Sequence, residues 1–425
     1  MRALYTLLLH LAVPFVLLRL LWKSRRQPEY RRRIGERFGR VPPADGGTAV
    51  WVHAVSVGET LAALPLIERL VERHGAGRVW VTTTTPTGSE RVRAALGGRV
   101  RHSYAPYDLP QAVAHFLERV RPRQVVVMET EIWPNLYRAV RRRGVPLVMA
   151  NARLSPRSFR GYARWRRSIA GVLADCTRIA AQSAADAARF EQLGAPAVSV
   201  MGNIKFDLAV PPAQRERGRA LRARLGAGRP VWAAASTHEG EEAAALAAHR
   251  ELLARWPDAA LILVPRHPQR FDEVARLVEK SGLRLARRSA GEPEPGTQVF
   301  LGDSMGEMFA YLAAADTAFV GGSLAPVGGH NVLEPAALGL PVLFGPHMHN
   351  FAAARELLLQ AGAAYAVDGA ATLAQRLGEL FEAPALRARM GAAGSEAVAA
   401  NRGAVERLLA LLEQTALADR TPALP

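Results

Sequence analysis

The sequence predicts an α/β protein: two doubly wound, parallel-sheet domains behind an N-terminal membrane helix. Three features carry that reading. Residues 3–22, ALYTLLLHLAVPFVLLRLLW, are mostly apolar. From residue 44 onward, short runs of apolar β-formers alternate with helical stretches. The alternation breaks at 208–218, LAVPPAQRERG, and then restarts. A chain of 425 residues with 49% apolar composition has room for two or three domains and a large core. Its single cysteine, Cys176, excludes a disulfide framework and a cysteine-based zinc site, and it fits a reducing cytosolic setting.

The first segment, 1–43, reads as a membrane anchor followed by a basic juxtamembrane stretch. Its apolar run has the length of a spanning helix, although His10, Pro14 and Arg19 interrupt it. A cleaved signal peptide carries its positive charge before the apolar run; here the cluster at 23–33 follows it, which is the layout of a signal-anchor. The segment holds ten basic and two acidic residues, a net of +8 out of the +17 of the whole chain. The positive-inside tendency keeps the chain after residue 22 cytoplasmic. Each charge near an anionic lipid surface contributes roughly 1 kcal/mol. A spanning helix, a helix lying in one leaflet and a buried N-terminal helix all remain open.

The first domain, 44–207, has strands expected at 49–54, 78–83, 100–104, 124–129, 146–150, 177–181 and 198–201, with helices such as 59–73, 109–119 and 155–174. Apolar strands with intervening helices point to a parallel sheet covered on both faces. The adjacent prolines of 208–218 mark a linker. The second domain, 219–425, has strands expected at 230–235, 259–264, 297–301, 316–320, 341–344 and 363–367, and closes with helices at 370–381, 384–400 and 403–417. Two such domains joined by a hinge are expected to form a cleft. Ligands of doubly wound sheets sit beyond the carboxyl ends of the strands, so the post-strand loops hold the candidate site.

In the first domain, VWVHAVSVGETLAALPLIERL (50–70) places Glu59 in the first turn of a helix. An acid there complements the helix dipole, so a plain start signal accounts for it as readily as chemistry does. Glu129 and Glu131 stand close together in METEIWPN (128–135). Neighbouring carboxylates raise each other's proton affinity, which can keep a nearby Glu59 poised as a base; an acidic helix start before Trp133-Pro134 is the alternative. Loop 83–90 offers hydroxyls and a glycine at another helix start. Stretch 153–167, RLSPRSFRGYARWRR, sets six arginines among Phe159, Tyr162 and Trp165, with the aromatics recurring every three residues along one helical face. A phosphorylated lipid, a nucleic acid or a solvated basic helix would each suit it, and the membrane segment favours the lipid.

The second domain carries four suggestive loops. In 235–242 (ASTHEGEE) Ser236 or Thr237 is a good N-cap, with Glu239 completing the arrangement. In 264–271 (VPRHPQRF), prolines stiffen a turn that displays Arg266, a side chain suited to gripping a phosphate. In 302–308 (GDSMGEM), Gly306 allows close backbone approach before a helix start that can receive an anion. In 320–336 (VGGSLAPVGGHNVLEPA), two glycine pairs flank an irregular stretch, and Asn331 with Glu334 forms a plausible capping box. Together they suggest a nucleotide site. No GxxxxGK[ST] loop is present, which argues against phosphoryl transfer of the P-loop kind.

Taken in order, HAVSVGET (53–60), TTTPTGSERV (83–92), METEIWPN (128–135), NARLS (151–155), GNIKFD (202–207), STHEGEE (236–242), PRHPQRF (265–271), GDSMGE (302–307) and GGSLAPVGGHNVLEP (321–335) resemble the bacterial 3-deoxy-D-manno-octulosonic acid (Kdo) transferases of lipid A biosynthesis. The resemblance spans essentially the whole chain. It implies a GT-B glycosyltransferase, inverting and metal-independent, with no cofactor. CMP-Kdo would be the donor and the phosphorylated lipid A precursor the acceptor, at the cytoplasmic face of the inner membrane, with no nucleic-acid partner. By position it implies Glu59 as general base and Glu129 and Lys205 as transition-state stabilisers. Pro265, Arg266, Met305, Gly306, Glu307, Asn331, Val332, Leu333 and Glu334 would bind CMP. Val332 replaces a proline common in that motif, with no expected functional consequence. No D-x-D pair is present for a metal-bound donor, and Arg266, Lys205 and helix N-termini are expected to supply the positive charge.

Overall fold

The computed structural model describes residues 2–25 and 27–418; Arg26 of the basic cluster and the last seven residues of the expected second domain lie outside the described residues. The chain divides into two compact units. The first runs to Asp207 and resumes at Arg402; the second is Leu208–Asn401.

The first unit is built on seven parallel strands: β1 (Thr48–His53), β2 (Val79–Thr83), β3 (Arg101–Tyr104), β4 (Pro122–Met128), β5 (Leu147–Ala152), β6 (Arg178–Ala181) and β7 (Val198–Val200). Their spatial order is β3-β2-β1-β4-β5-β6-β7. Side chains alternate across the sheet. Val50 and Val52 join Leu66, Ile67 and Leu70 on one face, while Trp51, Val125 and Val127 pack with Phe116 and Leu136 on the other. Chain order reverses between β1 and β4. This is the switch point where loops diverge and leave a crevice.

The last helix, Ala404–Ala418, packs on this first sheet and not, as expected, on the second domain. Its Ala404, Leu408 and Leu412 complete the core face of Val50 and Leu66. Gln124 donates to Leu412 O at 2.9 Å and Thr415 Oγ1 at 2.7 Å. Asp207 accepts from Gly403 N and Val405 N, each at 2.5 Å, and so fixes the helix start. An apolar stripe announces a helix that covers some sheet; only the folded chain decides which one.

The second unit has β8 (Val231–Thr237), β9 (Ala260–Pro265), β10 (Leu285–Arg287), β11 (Val299–Leu301), β12 (Thr317–Val320), β13 (Val342–Phe344) and β14 (Ala364–Ala366), ordered β10-β11-β9-β8-β12-β13-β14 and all parallel. Here the reversal falls between β8 and β12. The edge strand β10 was not expected: it is three residues long, half-buried and arginine-flanked, and carries no apolar alternation. The expected linker 208–218 is mostly helix. Pro212 opens Pro212–Leu225 at a position where its missing N–H costs nothing, and Gly218 lets that helix approach Ala310 and Ala313.

Two further expectations change. The stretch 155–174 is two helices, Pro156–Ala163 and Arg166–Leu173, broken at Trp165. Phe159 and Tyr162 pack on the core while Trp165 is 60% exposed, so the three aromatics do not share one face. The basic segment is also not wholly free. Arg37 is buried, with its guanidinium 4.2 Å from the Tyr104 ring centre and donating to Thr84 O at 3.0 Å. Arg33 pairs with Glu36 at 2.8 Å and donates to Ser89 Oγ at 3.2 Å.

Asp207→Ala leaves two amides of the closing helix without their acceptor. It should lower stability by about 1–2 kcal/mol, read as a reduced midpoint in chemical denaturation.

Candidate active site

In the first unit the residues of interest gather at the carboxyl edge of the sheet, around the β1/β4 reversal. After β1 the chain turns through Val55 into the helix Val57–His74, whose N-cap is Ser56. Ser56 Oγ accepts from Glu59 N at 3.1 Å and donates to Glu59 Oε1 at 2.8 Å; Val55 N donates to Oε2 at 2.8 Å. Glu59 therefore is a capping residue, as its place in the first turn suggests, but it is only 6% exposed. Burial pushes its carboxyl up to about 7. The hydrogen bonds from Ser56 and Val55 oppose that shift, and the carboxylates of Glu131 and Glu129 reinforce it. Each carboxylate oxygen has one protein donor and keeps lone-pair capacity for a proton. The capping interaction orients the group without consuming it.

Glu129 follows β4 with φ 54°, left-handed backbone that a non-glycine residue rarely holds without reason, fixed by Glu129 N donating to Ala150 O at 2.8 Å. Glu131 accepts from Trp133 Nε1 at 2.8 Å, and burial pushes its carboxyl up. The indole of Trp133 meets the fully buried His53 edge to face, ring centres 4.5 Å apart. Burial keeps that imidazole neutral, pushed down to about 3. The hydroxyls of loop 83–90 are largely spent on scaffolding. Thr84 Oγ1 donates to Val55 O at 2.7 Å, steadying the residue whose amide holds Glu59, and Thr85 caps its own helix at Gly88 N, 3.1 Å.

Lys205 lies on the short turn Ile204–Phe206 after β7. That turn is fastened beside β5. Asn151, fully buried with φ 54°, accepts from Ile204 N through Oδ1 at 3.2 Å. Asn151 belongs to the quoted NARLS motif, but nothing local says that an asparagine near the end of one strand will tie down a turn more than fifty residues later.

In the second unit the key group is Glu241, whose role pattern reading passed over. The expected cap of this segment was Ser236 or Thr237 with Glu239. Instead β8 runs through Thr237, Ser236 takes φ 57°, and the helix Glu241–Leu253 begins after Gly240. Glu241 is 2% exposed and accepts five backbone amides. His238 N at 2.9 Å and Gly322 N at 2.6 Å bind Oε2; Ser323 N, Leu324 N and Ala325 N bind Oε1 at 2.9, 2.8 and 3.2 Å. This clamp shapes the loop after β12. Gly322 is left-handed there at φ 66°, and a Cβ on Gly321 would fall 2.7 Å from Thr237 Cα. The first glycine pair thus serves the packing of the chain on itself.

Beside the clamp, His238 Nε2 and His330 Nε2 are 2.8 Å apart, one donating and the other accepting, with the His267 ring edge-on to His238. Burial pushes His330 down to about 4, and the nearby His238, Arg266 and His267 add to that. Arg266 follows Pro265 at the end of β9, its N donating to Thr237 O at 2.9 Å. Its positive charge reaches Glu334, whose carboxyl loss of solvation pushes up to about 6 against the Asn331 hydrogen bond and that arginine. Asn331 Nδ2 donates to Glu334 Oε1 at 3.1 Å, and Asn331 Oδ1 accepts from Leu333 N at 3.1 Å. The helix begins at Leu333, and Val332 is fully buried. Arg266, His330, Asn331 and Glu334 thus share one neighbourhood.

The loop after β11 presents Met305, 51% exposed, and Gly306 at φ 84°. Glu307 is engaged by Arg288 at 3.1 Å and Ser304 Oγ at 2.5 Å, and the arginine holds its carboxyl below the usual range. The helices that follow these two loops have six and five residues, so they offer less of the aligned-dipole field expected of a helix N-terminus.

Glu241→Ala strands five amide donors. It should cost on the order of 3–5 kcal/mol of stability, read by denaturation of the purified chain.

Residues 32–208 match the family model described as 3-Deoxy-D-manno-octulosonic-acid transferase (kdotransferase). The chain is 42% identical over 421 residues to the 3-deoxy-D-manno-octulosonic acid transferase of Haemophilus influenzae, covering 97% of this chain and 98% of that one. It is 44% identical over 429 residues to the protein of that name from Bordetella pertussis, covering 97% and 99%. Among solved structures, a glycosyltransferase from Rickettsia africae shares the fold with a TM-score of 0.57 at 14% identity, covering 87% of this chain and 98% of that one. The fold class is GT-B, with two Rossmann-like units behind an apolar helix. Identity at this level over nearly the full length makes the chain a member of the 3-deoxy-D-manno-octulosonic acid transferase family, a glycosyltransferase.

Proposed function

We propose that the enzyme transfers Kdo from CMP-Kdo to the phosphorylated lipid A precursor (lipid IVA) with inversion and without a metal ion, at the cytoplasmic face of the inner membrane. The domain of residues 44–207, within the first unit, takes the acceptor, and the second unit takes the donor. The observation that carries this reading is the buried Glu59 carboxyl at the β1/β4 reversal, oriented by Ser56 and Val55 and pushed up to about 7.

In the proposed step, the acceptor hydroxyl attacks the anomeric carbon while its proton passes to Glu59. The new C–O bond forms as the bond to the phosphate oxygen breaks, and CMP leaves with that electron pair. Glu129 and Lys205 stabilise charge in the transition state. Arg266, with Pro265 and the Asn331-Val332-Leu333-Glu334 turn, holds the nucleotide, and Met305, Gly306 and Glu307 border it. The departing phosphate meets fixed positive charge in place of a cation. In support, a base with pKa near the working pH gives the best product of ionised fraction and proton affinity, and the sequence has no D-x-D pair.

Glu59→Gln should keep CMP-Kdo affinity and lose transfer by at least ~100-fold; near-normal turnover would remove the assignment. Because the ionised form is the active one, kcat/KM of the parent should rise with pH through about 7. A chelator should leave transfer by the parent unchanged.

The same shift acts on stability with the opposite sense. A carboxyl whose folded pKa is raised favours the folded state below its ordinary pKa, and that contribution is lost as pH rises through about 7. Denaturation midpoints of the parent should therefore fall relative to Glu59→Gln between pH 5 and pH 8.

A further inference from the structure

The helix Arg2–Ser24 is long and apolar enough to cross a bilayer. Its two ends, however, are fastened to the same α/β unit. At the amino end, Arg2 pairs with Asp175 at 3.2 Å, Tyr5 Oη donates to Asp108 at 3.0 Å and Thr6 Oγ1 donates to Asn135 Oδ1 at 3.1 Å. Asp108 and Asp175 are themselves buried in the unit. Beyond the carboxy end the chain turns through Pro28–Arg31, and Arg33 and Arg37 then grip Ser89, in the helix Pro86–Leu96, and Thr84, just after β2 of the same unit.

Exposure along the helix falls into two opposing stripes at helical spacing. Leu4, Leu8, Leu11, Phe15, Leu18 and Trp22 are 51% exposed or more. Arg2, Tyr5, Leu9, Val13, Leu17 and Leu20 are half-buried or buried. Both stripes are largely apolar, which is why the composition reads as a span, yet one of them is turned from solvent.

We infer that this helix lies in one leaflet along the first unit, with the Leu4–Trp22 stripe in lipid, and does not cross the bilayer. A helix of 23 residues is about 34 Å long, close to the roughly 30 Å thickness of the hydrocarbon core. Set across the membrane, it would carry Arg2 to the far face and draw Asp108 and Asp175 into hydrocarbon, where ionisable groups are costly. Laid flat, every contact named above is kept. The flanking charge suits an anionic leaflet. Arg25, Arg31 and Arg32 are exposed beyond the helix, and Arg138, Arg142 and Arg143 line a groove of about 640 Å³ beside Leu7 and His10. Arg19, exposed among the leucines, can extend its guanidinium to the headgroups.

The inference rests on the reading that the enzyme works at a membrane, and its test is independent of transfer. In the full chain in native membranes, Thr6→Cys with Asn135→Cys is oxidised by copper-phenanthroline. A reducible intramolecular cross-link in most of the protein is expected; its absence in a preparation that still transfers Kdo overturns the docked helix. In the otherwise unaltered chain, an epitope tag placed before Met1 should resist protease in right-side-out spheroplasts and be cut in inverted vesicles. Cleavage from the outer side overturns the one-leaflet placement whatever the transfer assay shows.

Discussion

The fold depends on what happens to the glutamate that opens the first helix after the switch-point strand of each unit. In the second unit five backbone amides converge on Glu241. A charge-assisted hydrogen bond is about twice as strong as a neutral one, and a buried amide without a partner is expensive. One side chain therefore sets the path of four consecutive residues after β12 and, through them, the approach to His330 and Asn331. The glycines at 321 and 322 follow from that constraint, since a side chain at the first would strike Thr237 and the second is left-handed.

Glu59 occupies the corresponding place in the first unit, and its surroundings give it a different character. It has two donors where Glu241 has five, and carboxylates at 129 and 131 stand close by. Burial and like charge favour the protonated form; the two hydrogen bonds favour the ionised one. The balance places its titration near neutrality. Five backbone amides make Glu241 the builder of a loop, whereas one amide and one hydroxyl reach Glu59.

The N-terminal helix shows the same dependence on context. Its composition is that of a membrane span, while its hydrogen bonds are those of a docked surface helix. Tyr5 and Thr6, minor interruptions in an apolar run, are the residues that tie it to Asp108 and Asn135.

The sequence by itself determined the two alternating α/β halves, thirteen of the fourteen strand positions, the break near residue 211 and the candidate loops, because these follow from apolar periodicity and from Gly, Pro and acid signals that are local in the chain. It also placed Glu59 and Arg266 at strand ends, where doubly wound sheets bind ligands. Tertiary structure alone decided that the closing helix returns to the first sheet, that the stretch around Trp165 is two helices, and that Asn151 and Glu241 matter. Each of these turns on a contact between residues far apart in sequence — Asn151 with Ile204, Glu241 with 322–325, Gln124 with Leu412. A one-dimensional pattern records which residues can be buried or can accept a hydrogen bond. It does not record which distant group will be there to meet them.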